Sequence, residues 1–409
     1  MNKLFKYVSG DKNIWVLAII LGVLSIVSVF SFIPILVKTK GMSYSYLFFK
    51  HTILLAFGFL IMFAVHKIPI KVFSKLSKIL FYLSIILLVL TMFMGESVNG
   101  ADRWLKIPFL PFSFQTSDFA KLALIIYLSR QLVKRQKEFN DLATVFKYII
   151  LPVGLTMFLI LPSNLSTALL VGAIALVMMI LAKLPFKWIA LSGGGAIALF
   201  SLLLLIGKAS PEALPRLATW ESRITSMWSG DEVVDPNKNM QVNNALAAIK
   251  NGAITADSPT PGTGPGNGVL KHYIPEAYAD FYFAALIEEG GLPMAIIVIM
   301  LYLWLFFRFI KTGLASKDLF STYVVIGIGV MFMSQVLVNM MVSTKLIPVT
   351  GQNMPLLSMG GTSAWFTCIA FGIVLSVSRQ QRKKEDSKDN SVTTKQDSNS
   401  IEDLENAIA

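Results

Sequence analysis

The residues in this chain able to do chemistry are carboxylates and ammonium groups placed where ions are costly. Asp118 and Lys121 stand three apart in Ser113-Phe114-Gln115-Thr116-Ser117-Asp118-Phe119-Ala120-Lys121. At that spacing they share a helix face and can pair, each offsetting part of the other's cost of leaving water. Two readings stay open for them: a helix-start acid with a snorkelling lysine, or the lining of a polar cavity that opens outward. Glu288 and Glu289 follow the apolar run Phe281–Ile287. Two adjacent carboxylates cannot both face lipid, so at least one turns inward in a hydrogen-bonding role, and Gly290-Gly291 loosens the helix beside them. Asp280 carries the most weight, because it sits where a long polar loop meets an apolar run. It suits a helix N-cap, and a capping carboxylate keeps a second oxygen that can accept a proton. Cysteine and histidine chemistry is excluded more firmly. Cys368 is alone in an apolar run, and His51, His66 and His272 are scattered, so neither a CxxC pair nor an HExxH site exists.

The elements that must position these groups are membrane spans. The 409 residues are 55% hydrophobic and only 15% charged, with a mean hydropathy of +0.65; soluble domains run about 45–50% apolar and about 25% charged. Ten apolar stretches are long enough to cross a bilayer, at 14–36, 47–66, 77–94, 115–133, 147–161, 165–182, 187–207, 281–307, 320–343 and 359–378. The expected fold is therefore an all-α polytopic membrane protein of about ten transmembrane helices, with a long external loop, 208–280, between the seventh and eighth. The net charge of +12 concentrates on one side of this pattern: Lys67, Lys71, Lys75, Lys78, Arg130, Lys134, Arg135, Lys137, Lys183, Lys187, Arg308, Lys311 and Lys317 all fall there. By the positive-inside rule that side is cytoplasmic, as are both termini, and no nucleic-acid partner is needed to explain the charge. Residues 1–378 form the membrane domain, and 379–409 lack apolar periodicity and read as a disordered cytoplasmic tail. Within the external loop, Met240–Lys250 places Val242, Leu246 and Ile249 on one helix face.

Two glycine clusters stand out, one within the loop and one at the tenth span. Pro261–Gly268 reads PGTGPGNG, a flexible turn by default and a weak phosphate cradle, since no Walker lysine accompanies it. Ser358, Gly360 and Gly361 open the tenth span, either as small-residue helix packing or as an unwound lining of the external cavity.

Taken in order, Asn99–Trp104, Gln115–Lys121, Gly264–Asn267, Pro275–Asp280 with Glu288-Glu289, and Pro355–Ser363 resemble the SEDS proteins, the FtsW and RodA group, over roughly 14–378. The resemblance implies a peptidoglycan glycosyltransferase of the cytoplasmic (inner) membrane, which polymerises lipid II, extends undecaprenyl-diphosphate-linked glycan, and works with a class B penicillin-binding protein and other division proteins. It also implies that Asp280 is the catalytic carboxylate and that Asp118 and Lys121 are functional positions. The chain departs from the family pattern at Thr116 and Asp118, where Pro and Glu are usual, and at Asn164, where an acid is usual. Tyr278 and Ala279 replace a His-Thr pair. The Gly264–Asn267 turn is nearer the division branch, FtsW, than the elongation branch, RodA.

Transfer from a polyprenyl diphosphate needs one base, because the diphosphate leaves without a proton; the two carboxylates of a glycosidase are unnecessary. The developing negative charge calls for cations or donors, and Lys121, Arg103, Arg223 and Lys271 are the external candidates. A divalent cation, Mg2+ or Mn2+, held by phosphate and one carboxylate is compatible with the sequence, but no dedicated metal site is readable. Two other classes remain: a flippase for the lipid-linked precursor, and a non-catalytic division scaffold. The clustering of ionisable residues near the outer ends of spans favours the enzyme.

Overall fold

The structure, a computed structural model, describes residues 9–41, 43–98, 101–106, 113–209, 236–253, 262–274, 277–359 and 361–382. Among them, ten helices follow the ten apolar stretches: α1 Lys12–Lys40, α2 Tyr44–Val65, α3 Ile70–Met94, α4 Thr116–Lys134, α5 Leu142–Ile160, α6 Leu165–Leu181 and α7 Phe186–Ala209, then α9 Tyr282–Leu314, α10 Leu319–Ser343 and α11, residues 363–382. The loop helix α8, Pro236–Gly252, lies between α7 and α9. Six of the described helices (α1, α2, α3, α5, α9 and α10) are long and apolar enough to cross a membrane.

Local chemistry sets the ends. The Asp11 side chain accepts the Asn13 N–H at 2.9 Å to start α1, and Gly41, left-handed at φ 65°, closes it. Ser43 caps α2, and the Asn164 side chain accepts the Thr167 N–H at 3.0 Å to start α6. Within α5, residues Phe146–Ile150 widen into a π turn just before Pro152, whose ring removes a backbone donor. Apolar side chains on α2 and α3, such as Phe49, Ile53, Ile79 and Phe93, face outward as a lipid-facing surface would.

Three findings modify the sequence reading. The fold is not purely helical: β1 Glu96–Val98, β2 Ala101–Lys106 and β3 Ser113–Gln115 form an antiparallel sheet in the order β1-β2-β3. Trp104 pairs with Gln115, so the sheet feeds directly into α4. The tail boundary also moves, because α11 continues through residue 382. Arg379 there donates to the His66 carbonyl at 3.2 Å and Gln381 to the Thr312 carbonyl at 2.8 Å, which anchors the extra turn; residues 383–409 lie outside the described residues. Finally, the helix read at Met240–Lys250 extends to Pro236–Gly252.

The kink in α9 explains how the loop attaches. Gly291 adopts φ 71°, ψ −177° inside the helix, and Pro293 follows. The break frees carbonyls that the glycine-rich turn recovers: Thr263 N–H donates to Glu288 O at 2.8 Å and Gly264 N–H to Glu289 O at 2.9 Å. Gly262 is left-handed at φ +77°, and a methyl there would collide with the Glu289 carbonyl and stand 2.7 Å from Gly291 N. Gly262→Ala is therefore expected to destabilise the protein by about 2 kcal/mol or more. The check is a lowered thermal midpoint in detergent relative to Gly266→Ala, where φ is also positive (+84°) but no neighbour lies in the way; equal midpoints would contradict the packing argument.

Candidate active site

The non-helical stretch 351–358 between α10 and α11 organises the site. Its carbonyls are satisfied by side chains from three helices. Asn339 of α10 donates to Gln352 O at 2.9 Å, Tyr302 of α9 to Pro355 O at 2.7 Å, and Ser25 of α1 to Leu357 O at 3.0 Å. The same network fixes the turn that carries Asp280. Asn339 Nδ2 also donates to the carbonyls of Ala279 and Asp280, each at 3.1 Å. Ser358 Oγ donates to Ala279 O at 3.1 Å, and Met359 N–H to Tyr278 O at 3.0 Å.

Asp280 itself is not the N-cap of α9. That position is Phe281, with no capping side chain, because the chain makes one more turn before the helix begins. The carboxylate is half-buried and sits beside Gly351. A methyl on Gly351, which has φ +71°, would stand 2.9 Å from Arg103 Nη1 and 3.8 Å from Asp280 Oδ2. The Arg103 guanidinium and the Asp280 carboxylate thus both approach Gly351, whose positive φ favours glycine. Arg103 reaches it from β2 and is steadied by donating from Nε to the Ser163 carbonyl at 2.9 Å.

Gly351 and Gln352 also line a narrow cavity of about 40 Å³, of mixed polar and apolar walls, whose lining includes Asp118 and Lys121. Lys121 Nζ lies 2.8 Å from Asp118 Oδ1, with both side chains almost fully buried, and Ser363 donates to the other carboxylate oxygen. The pair is real, and it lines a cavity continuous with the segment beside Asp280.

Other candidates lie elsewhere. Lys271 is fully buried, its ammonium paired with Glu289 and bonded to Ser31 Oγ at 2.5 Å. It is locked into the joint between the loop and α9, so its charge is committed before any substrate arrives. Glu288 has the structural role expected of it, accepting the N–H groups of Leu270 at 2.8 Å and Lys271 at 3.0 Å. Ser358 is buried and spends its hydroxyl on backbone: besides donating to Ala279 O, it accepts the Met354 N–H at 2.8 Å. Gly361 is left-handed at φ 55° just before α11, which favours the unwound-lining reading over helix packing. Gly360 and Arg223 lie outside the described residues. Among the described residues no three His, Cys, Asp or Glu side chains are grouped to hold a metal ion. Sequence reasoning missed Asn339 and Gly351. An amide directly after the apolar run Val336-Leu337-Val338 was a readable signal for the first; the glycine offered none.

These features define a polytopic membrane protein with a charged site recessed at one end of its helix bundle. Comparison with known proteins agrees. The FtsW/RodA/SpoVE family, described as cell cycle protein, matches residues 11–383. A probable peptidoglycan glycosyltransferase FtsW of Wigglesworthia glossinidia brevipalpis is 30% identical over 388 residues, covering 91% of this chain and 94% of that one. Its counterpart of the same name from Coxiella burnetii is 31% identical over 340 residues, covering 81% and 86%. In fold, the chain is similar to one chain of a peptidoglycan synthase complex, at TM-score 0.68 and 24% identity over 91% of this chain and 98% of that one. It is also similar to RodA of Thermus thermophilus, at TM-score 0.60 and 23% identity over 91% and 97%. The chain belongs to the FtsW/RodA/SpoVE family.

Asn339 and Lys271 yield separable expectations. Asn339→Ala removes the donor shared by three carbonyls, and a displacement of the Asp280 turn of about 1 Å is expected to cost roughly 100-fold in turnover; the check is kcat against KM, with KM little changed. Lys271→Met leaves Glu289, 12% exposed, without its cation, which costs at most about 3–5 kcal/mol, whereas adding Glu289→Gln should restore most of that. Thermal midpoints of the single and double variants decide it: a double variant no more stable than the single would contradict the pairing.

Proposed function

We propose that this protein is a peptidoglycan glycosyltransferase that polymerises lipid II, with Asp280 as general base and Arg103 as a cation close to it. The convergence of Asp280 and Arg103 on Gly351 carries the reading. In the reaction, Asp280 takes the proton from the 4-hydroxyl of one lipid-linked disaccharide as its oxygen bonds to the anomeric carbon of another. The bond from that carbon to the polyprenyl diphosphate breaks, and the electron pair leaves with the diphosphate. A single displacement at an α-linked donor inverts the centre and gives a β-linked strand. Arg103 offers a guanidinium to the departing phosphate oxygens, a geometry suited to bidentate contact. The charge of Lys121 is largely compensated by Asp118 2.8 Å away, so this pair shapes and polarises the cavity wall more than it attracts an anion.

Sidedness follows the basic residues, which puts both termini in the cytoplasm and the site at the outer face of the cytoplasmic membrane. A class B penicillin-binding protein is the expected partner: the similar solved complex is described as coordinating polymerisation and crosslinking. The FtsW names of the relatives favour a role in division over elongation. A flippase would need a polar path through the full bilayer, whereas Asp118, Lys121, Arg103 and Asp280 gather at one end of the bundle.

The test is polymerisation of labelled lipid II by the purified protein with and without a class B penicillin-binding protein. Asp280→Asn keeps the volume but not the base, and is expected to lower turnover by at least about 100-fold with the thermal midpoint unchanged; retained turnover would defeat the assignment. Asp118→Ala and Lys121→Ala are each expected to lower activity strongly, with the double variant no worse than either single one. Multiplying losses would show that the two act separately.

A further inference from the structure

An ionisable side chain in the middle of an apolar span is rare and usually carries a task. His51 lies in α2, about 10 Å along the helix from Tyr44 at about 1.5 Å per residue, and is 7% exposed. Phe49 and Ile53 face outward, so the imidazole is turned into the bundle. There its Nε2 lies 3.0 Å from Ser25 Oγ of α1, and the same Oγ lies 3.0 Å from the Leu357 carbonyl. All three residues are buried.

Counting hydrogens fixes the roles. A carbonyl oxygen only accepts, and Ser25 has a single hydroxyl hydrogen. For both contacts to be hydrogen bonds, Ser25 donates to Leu357 O and His51 donates from Nε2 to Ser25. With a bare Nε2 the ring would compete for that hydrogen, and the buried carbonyl would lose its donor. Other serines of the bundle show what the ring prevents. Ser28 donates to Leu24 O, Ser84 to Phe81 O and Ser129 to Ile125 O, each within its own helix, as helical serines commonly do. Ser25 instead reaches across to another element, and His51 occupies a lone pair of its oxygen.

The carbonyl so held follows a strained residue. Leu356 has φ +63°, a left-handed conformation that a bulky side chain adopts only where its surroundings impose it. Tyr302 holds Pro355 O on one side of it, and Ser25 holds Leu357 O on the other. The turn sets Leu356 in the wall of the Asp118–Lys121 cavity. Ser358, two residues on, donates to the carbonyl of Ala279, the neighbour of Asp280.

We infer that His51, donating from Nε2, is a positioning residue for the transfer: through Ser25 it clamps the left-handed turn at Leu356, and so keeps the cavity wall and the Asp280 turn in register. The inference rests on the transferase reading and adds a residue of α2 that acts through Ser25 rather than on the reactants.

The test measures lipid II polymerisation by the full-length protein with a class B penicillin-binding protein. His51→Leu removes the donor and frees Ser25 to bond within α1; kcat is expected to fall about tenfold with KM within about twofold. Ser25→Ala should cost about the same, and the double variant no more than either single one. His51→Gln, whose side-chain amide can still donate to Ser25, should recover most of the lost kcat. A ring that only fills space predicts the reverse order, with the leucine variant tolerated and the glutamine variant harmful. That result, or losses that multiply in the double variant, would overturn the assignment. A second arm reads the wild-type protein and needs no turnover. The chain has three histidines, so nitrogen NMR of histidine-labelled protein separates the rings, and the signal absent from His51→Gln is that of His51. Its Nε2 should be protonated; a bare Nε2 would overturn the clamp. If the wild-type protein polymerises nothing while Nε2 is protonated, the transferase reading fails and the clamp stands.

Discussion

Everything in the site depends on keeping non-helical backbone inside a helix bundle without leaving its polar groups unpaired. In hydrocarbon, each unsatisfied amide or carbonyl costs several kcal/mol. Residues 351–358 meet that demand with donors from α1, α9 and α10, supplemented by their own turn, in which Leu357 and Ser358 N–H groups return to Met354 O. The solution is economical because the donors are shared. Asn339 serves Gln352 and the Asp280 turn together, and Ser358 links Met354 to Ala279. Positioning the carboxylate is thus a by-product of satisfying backbone, and a change to one donor propagates to the site.

The two lysine–carboxylate pairs show how burial alone fails to distinguish roles. Lys121 and Lys271 are both nearly inaccessible and both paired with an acid. Burying such a pair is close to neutral against apolar packing, whereas breaking one is expensive, so neither pair is an argument for function by itself. What separates them is surroundings. Lys271 is enclosed by Ser31, Glu289 and the turn that covers the α9 kink. The Asp118–Lys121 pair lines a cavity shared with Gly351 and Gln352.

The bundle was legible because bilayer thickness imposes a length on apolar runs, and α1 to α7 and α9 to α11 fall on those runs. What hydropathy could not carry was short-range pairing in polar segments. The β1-β2-β3 sheet lies in a stretch too brief and mixed for a period-two signal. Asp280 read as a cap because Asp before an apolar run is the usual signature of one, yet tertiary donors hold its turn open and shift the helix start. Lys271 read as an external cation because a loop lysine is normally solvated, and only the folded joint reveals its buried partner. The end of α11 was set short because charged residues lower hydropathy, although Arg379 and Gln381 anchor the extra turn by donating to the carbonyls of His66 and Thr312.

The same bonds bear on the direction from which a substrate arrives. At the end of the bundle opposite the site, Asp11 pairs with Arg308, the α11 extension ties to residues after α2 and within α9, and Arg130 donates to Ser74 O at 2.5 Å. Those contacts join α1, α2, α3, α4, α9 and α11 where the basic residues concentrate. Toward the site end the packing is looser: α9 breaks at Gly291, the chain between α10 and α11 unwinds, and the seam between α6 and α10 stays open. A protein that carried cargo across would need both ends to open in turn. One that is tied at the basic end and open to lipid and water at the other is built to receive reactants already on that side, which is the geometry required for joining two lipid-anchored sugars at the membrane surface.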